Sequence, residues 1–115
     1  MKLYEIQIPV SPNDAWDENG NLIKGVKFLG DKWKFTRVHH AEFLSHLTHL
    51  AKGYSRLPEI DGVWVNGEGT EFREKMIPIR VATDKFYIDL FAKLAKTHYK
   101  QEAIFVAELG EARFF

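Results

Sequence analysis

The 115-residue chain predicts an α+β fold, a ferredoxin-like βαββαβ sandwich interrupted after its first strand by an aromatic insertion over roughly residues 11–37. Three observations predict it. The first segment alternates with a period of two, two later segments repeat their apolar residues at helical spacing on either side of a glycine hairpin, and the last segment is β-branched and aromatic. One domain over residues 1–115 is expected, since a chain of this length supports one core.

The elements follow in order. Tyr4, Ile6, Ile8 and Val10 alternate with Leu3, Glu5 and Gln7, as a strand with one buried face requires. Ser11-Pro12-Asn13-Asp14 ends it, because proline donates nothing to a ladder and the short polar side chains favour turns. The insertion carries an Asn19-Gly20 turn signal and the aromatic residues Trp16, Phe28, Trp33 and Phe35, which should pack on the body or on a neighbouring subunit. From Val38 to Lys52, the positions Phe43, Leu44, Leu47, Leu50 and Ala51 make one helical stripe that Gly53 should stop. Gly62–Val65 and Glu71–Val81 read as a hairpin around Asn66-Gly67. Thr83 or Asp84 can cap a second helix reaching His98, its stripe formed by Phe86, Tyr87, Leu90, Phe91, Leu94 and Ala95. Ala103–Leu109 suits a central strand that Gly110 ends or bends.

Two helices would cover one sheet face, with the first and third core strands in the middle. Ile77, Ile79 and Val81 should face the helices. Glu74, Met76, Pro78 and Arg80 should then look the other way, beside Glu5 and Gln7, and that face is where function is expected.

Composition removes several classes of function. Sixteen basic and sixteen acidic residues cancel, so no global field attracts phosphate backbones or anionic lipid, and nucleic acid is not an expected partner. The absence of cysteine excludes disulfides, thiolate nucleophiles and cysteine-ligated metal centres. No apolar run approaches the ~18 residues of a membrane span, and the start of the chain lacks a signal peptide's apolar core, so a cytoplasmic location is expected. No phosphate-binding loop, dinucleotide fingerprint or nucleophile elbow is present.

Two side-chain groups could carry chemistry. His39, Glu42, His46 and His49 share one flank of the first helix and could ligate a divalent metal, or simply form its solvated side. His40 belongs nearer the core, and His98 suits the end of the second helix, where it complements the dipole. The second group is the acidic hairpin: Glu59, Asp61, Glu68, Glu71 and Glu74, with Tyr54 and Arg73 near in sequence. Crowded or partly buried carboxylates can act as bases or hold a cation, whereas exposed ones only solvate a turn. Glu74 stands out because its strand parity puts it on the open face.

Gly53-Tyr54, then a glycine turn leading into Phe72-Arg73-Glu74, resembles the Gly-x-Tyr and aromatic-Arg-Glu elements of the phage S-adenosylmethionine lyases, enzymes long described as hydrolases. Arg80-Val81, a helix and Gln101-Glu102-Ala103-Ile104-Phe105-Val106 are similar to that family's later Arg-Val and final-strand elements. The resemblance covers about the last two-thirds of the chain. It implies a homotrimer with no cofactor and no metal, whose site lies between subunits, in the host cytoplasm if the chain is viral. The substrate's own carboxylate would displace methylthioadenosine from the sulfonium to leave homoserine lactone. Glu74 would then be the anionic partner of the substrate and Tyr54 an orienting hydroxyl, with Glu71 as the substitute for Glu74. Arg73, Gln7 and Gln101 would hold substrate polar groups. The competing reading is a noncatalytic oligomer of the same fold that binds a small nucleoside ligand or a protein partner.

Overall fold

A computed structural model describes residues 1–12, 15–16, 22–23, 34–65, 67–69 and 71–115, excepting the side chains of residues 15, 16, 22, 23, 64, 72 and 73. In chain order the elements are β1 (Lys2–Pro9), β2 (Ala15–Trp16), β3 (Leu22–Ile23), α1 (Arg37–Ala51), β4 (Ser55–Arg56), β5 (Ile60–Val65), β6 (Glu71–Thr83), α2 (Lys85–His98) and β7 (Val106–Glu111). This is an α+β arrangement of two helices on a five-stranded antiparallel sheet. β1 lies between β7 and β6, and the far side of β6 is shared by β5 along its first half and by β4 along its second. The expected central pair, β1 and the third core strand, is therefore the central pair observed. β2 and β3 form a separate two-stranded ladder inside the insertion, whose aromatic residues Phe28 and Trp33 lie outside the described residues.

The period of two in β1 has the expected consequence. Tyr4, Ile6, Ile8 and Val10 are buried with Ile77, Ile79 and Val81 of β6, under Phe43, Leu44 and Leu47 of α1 and Ile88, Phe91 and Ala95 of α2. α1 begins where the Thr36 hydroxyl accepts the His39 amide at 3.1 Å, satisfying one of the unpaired donors of its first turn. Its C-terminal left-handed residue is Lys52 (φ 67°), one position before the glycine expected to stop it.

Four expectations change. β7 is an edge strand rather than a central one, because the chain leaving β6 through α2 passes over β1 and lands beyond it. It begins at Val106 instead of Ala103, and Gly110 bends it without ending it: Leu3 pairs with Gly110 and Tyr4 with Glu108, so Leu109 is the extra residue of a bulge. The hairpin loop is wider than a two-residue turn, since Val65 pairs with Glu71, and Gly69 (φ 83°), not Gly67, takes the left-handed conformation. On α2 the buried stripe runs through Ile88, Phe91 and Ala95 at i, i+3 and i+7, while Phe86 is 72% exposed. Among the described residues, no helix is long and apolar enough to cross a membrane.

Candidate functional site

Strand register builds the face away from the helices. Glu5 pairs with Arg80, Gln7 with Pro78 and Pro9 with Met76, and Glu74 lies two positions further along β6, opposite Gly62. Gln7 Nε2 donates to Glu5 Oε2 at 3.0 Å, and Arg80 Nε donates to Glu5 Oε1 at 3.2 Å. Glu5 is thus fixed from both sides, with only 14% of its side chain exposed. Beside this polar chain Pro9, Met76 and Pro78 are buried. Glu74 is half-buried, and its Oε1 is shielded from solvent.

The residues singled out from the sequence are not gathered at one point. Tyr54, 38% exposed, precedes Ser55, which pairs with Arg80. Glu74 stands six positions before Arg80 on β6, roughly 20 Å at ~3.3 Å per residue. Tyr54 and Glu74 of one chain therefore stand toward opposite ends of β6. Glu71 is exposed at the start of β6, where its odd position gives it the opposite parity to Glu74. Arg73 pairs with Val63 in backbone register, and its side chain lies outside the described residues. Gln101 is buried just past α2, where its Nε2 donates to the Tyr99 carbonyl at 3.0 Å and its amide to that of Lys96 at 3.0 Å. Of the two binding candidates whose side chains are described, Gln7 joins the polar chain of the open face and Gln101 is buried beside the end of α2.

A second polar assembly sits where the start of α1 meets the end of α2. Phe35, His39, His40, His98 and Tyr99 pack ring against ring. His39 stacks on His98 with centroids 3.9 Å apart, and on Phe35 at 4.7 Å. His39 Nε2 lies 2.9 Å from the His98 carbonyl oxygen, and His98 Nε2 lies 2.6 Å from that of His39. A carbonyl only accepts, so both Nε2 atoms carry protons, and a neutral ring keeps its lone pair on Nδ1. Burial, followed by the neighbouring His98, pushes the His39 pKa down. His40 Nδ1 shares a 2.8 Å hydrogen bond with the Tyr99 hydroxyl. Burial, with a smaller contribution from Arg56, pushes His40 down to about 4, and burial pushes the Tyr99 phenol up, so both are neutral at pH 7.

His40 is the core-edge residue its helix position suggested. His98 has a different role from the one expected. Its ring crosses to α1 rather than merely complementing its own helix end, and no local signal in the sequence joins it to a residue 59 positions earlier. Among the described residues, His39, Glu42 and His98 bring one potential ligand atom each to within 4.8 Å of one another. His46 and His49 are exposed further along α1 and do not belong to this group.

No protein-family model matches the chain, and no curated protein matches it in sequence. Solved structures match it in fold. The crystal structure of CutA1 from Oryza sativa superposes with a TM-score of 0.55 at 14% identity, covering 99% of this chain and 82% of that one. A phage SAM lyase in its apo state superposes with a TM-score of 0.54 at 13% identity, covering 94% of this chain and 78% of that one. The likeness is one of fold. At these identities it leaves chemistry to be argued from the residues themselves.

Proposed function

We propose that the chain is a ferredoxin-like S-adenosylmethionine lyase, or a lyase of a closely related adenosyl sulfonium compound, acting as a cytoplasmic homo-oligomer with a trimer favoured. The observation that carries this reading is the fold likeness to a phage SAM lyase over 94% of the chain. A half-buried carboxylate, Glu74, on the face away from the helices supports it. In the reaction, one oxygen of the substrate carboxylate attacks the γ-carbon of its own methionine moiety. The new C–O bond forms as the C–S bond breaks, and sulfur leaves with the bonding pair as neutral methylthioadenosine. Homoserine lactone is the other product, and no water, proton or redox partner enters.

Such chemistry needs a folded substrate more than it needs an acid or a base. Charge at sulfur disappears as the reaction proceeds, so an anion held against sulfur stabilises the ground state more than the transition state. The substrate ammonium keeps its charge throughout. Glu74 is therefore assigned to the ammonium, where it fixes the methionine chain without raising the barrier, and Tyr54 to orienting the substrate. Because Tyr54 and Glu74 of one chain lie far apart, the reading requires Tyr54 from a neighbouring subunit.

The test is incubation of the purified protein with S-adenosylmethionine in excess chelator, with products followed by chromatography and mass. Methylthioadenosine and homoserine lactone in equal amounts are expected. The likeness to CutA1 is equal in quality, so the fold alone does not select the lyase, and the second reading is a noncatalytic module that binds a small nucleoside or a protein partner. Retention of the nucleoside with no turnover would replace the first reading with the second.

A further inference from the structure

We propose that His39, Glu42 and His98 form a binding site for one transition-metal ion of the zinc or copper class, at the seam between the start of α1 and the end of α2. His39 and Glu42 are three apart on α1 and so share a helical face. His98 arrives from the last turn of α2, bringing the three donors within 4.8 Å of one another. The reciprocal Nε2–H bonds to backbone carbonyls hold both imidazoles in the tautomer whose Nδ1 carries the lone pair. Metal-binding histidines are ordinarily oriented by such a bond from the other ring nitrogen. Two imidazoles and one carboxylate suit zinc or copper better than magnesium or calcium, which take oxygen donors.

With metal–nitrogen bonds of about 2.0–2.1 Å, tetrahedral donors stand roughly 3.3 Å apart. Occupancy therefore draws the three donors inward and turns the imidazoles out of their 3.9 Å stack. Three protein ligands leave a fourth position for water or an incoming group. The Glu42 carboxylate and the negative end of α2 favour a cation there, while the positive end of α1 and Lys100, which also acts on His39, oppose it. Binding consequently depends on the nitrogen lone pairs more than on net charge. The site is on the helical side of the molecule, so it stands or falls independently of the lyase reading on the other face.

The experiment is titration of the chelator-stripped full chain with Co2+ and Zn2+, read by calorimetry and by the visible absorption of bound cobalt. One ion per chain is expected. His39→Phe and His98→Phe keep aromatic rings in the stack but remove the nitrogens, and each should weaken binding about tenfold or more. Glu42→Gln, on an exposed side chain, supplies a variant whose folding is not in question and should weaken binding in the same direction. The double variant His46→Ala with His49→Ala should bind as the parent does. Absence of stoichiometric uptake, uptake indifferent to the Phe and Gln variants, or uptake lost in the His46/His49 pair would each overturn the site.

Discussion

The open sheet face and the ring stack at the helix ends are both polar assemblies in a small protein, but they are held in opposite ways. Glu5, Gln7 and Arg80 are aligned by strand register and stay in contact with water. His39, His40, His98 and Tyr99 are aligned by packing, and burial pushes His39 and His40 down and Tyr99 up. The first arrangement leaves charges available to a ligand. The second suppresses them and ties two helices together. A substrate that carries an ammonium and a sulfonium would be met by the first, whereas the second presents two imidazoles whose Nε2–H groups are held by backbone carbonyls.

The largest effect expected on either side of this comparison is at Glu74. Glu74→Gln keeps the shape of the side chain and removes the charge assigned to the substrate ammonium, so the methionine chain is no longer held in its attack conformation and kcat/KM for S-adenosylmethionine should fall by about 100-fold. Product formation checks this, with far-ultraviolet circular dichroism as the control for folding. Full activity would remove Glu74 from the mechanism. A sharper form uses the placement of Tyr54 and Glu74 toward opposite ends of β6. Subunits carrying Glu74→Gln, mixed with subunits carrying Tyr54→Phe, should regain part of the activity, because some shared sites receive both intact residues. No recovery on mixing would mean that the site does not draw these residues from two chains.

On the other side, the ring stack should make stability depend on pH. His40 is held neutral in the folded state, down to about 4, whereas an unfolded histidine titrates near its ordinary value of 6.5. Its contribution is present in full above pH 6.5 and is lost as the pH falls toward 4, because over that window the unfolded chain binds a proton that the folded chain refuses. The loss expected is about 2–3 kcal/mol. Urea unfolding at a series of pH values checks it, and His40→Gln should flatten the slope across that window. An unchanged slope in the variant would assign the acid sensitivity to another group.

The two regions also differ in how much of them could be read from sequence. The period of two in Tyr4, Ile6 and Ile8 and in Ile77, Ile79 and Val81 is local, so the buried face and its polar reverse follow directly from it. The placement of Glu5 beside Arg80 needed only the further assumption that the first and third core strands are neighbours. The ring stack gave no such signal. His39 and His98 meet because α1 starts where α2 ends, which depends on helix length and crossing and not on any spacing within either helix. The histidine spacing on α1 pointed along its own helix toward His46 and His49, whereas the structure groups His39 and Glu42 with a residue from α2. The edge position of β7 escaped for a related reason. Residue type does not report order in a sheet, and here it overstates burial as well, since the apolar Phe105 and Leu109 are 55% and 46% exposed.

The smallest expected effect is at the ion pair of the open face. Arg80 keeps 43% of its side chain in solvent, and its bond to Glu5 at 3.2 Å competes with water and salt. Arg80→Gln should therefore cost only about 0.5–1 kcal/mol, since Gln7 continues to donate to the other oxygen of Glu5. Denaturant unfolding at low and high salt checks this: the difference between parent and variant should shrink as salt screens the pair. A double-mutant cycle with Glu5→Gln isolates the coupling, and the coupling energy should be of the same size. A loss of several kcal/mol that salt does not reduce would show that this face is sealed as the ring stack is, and would erase the contrast between an available charge and a suppressed one.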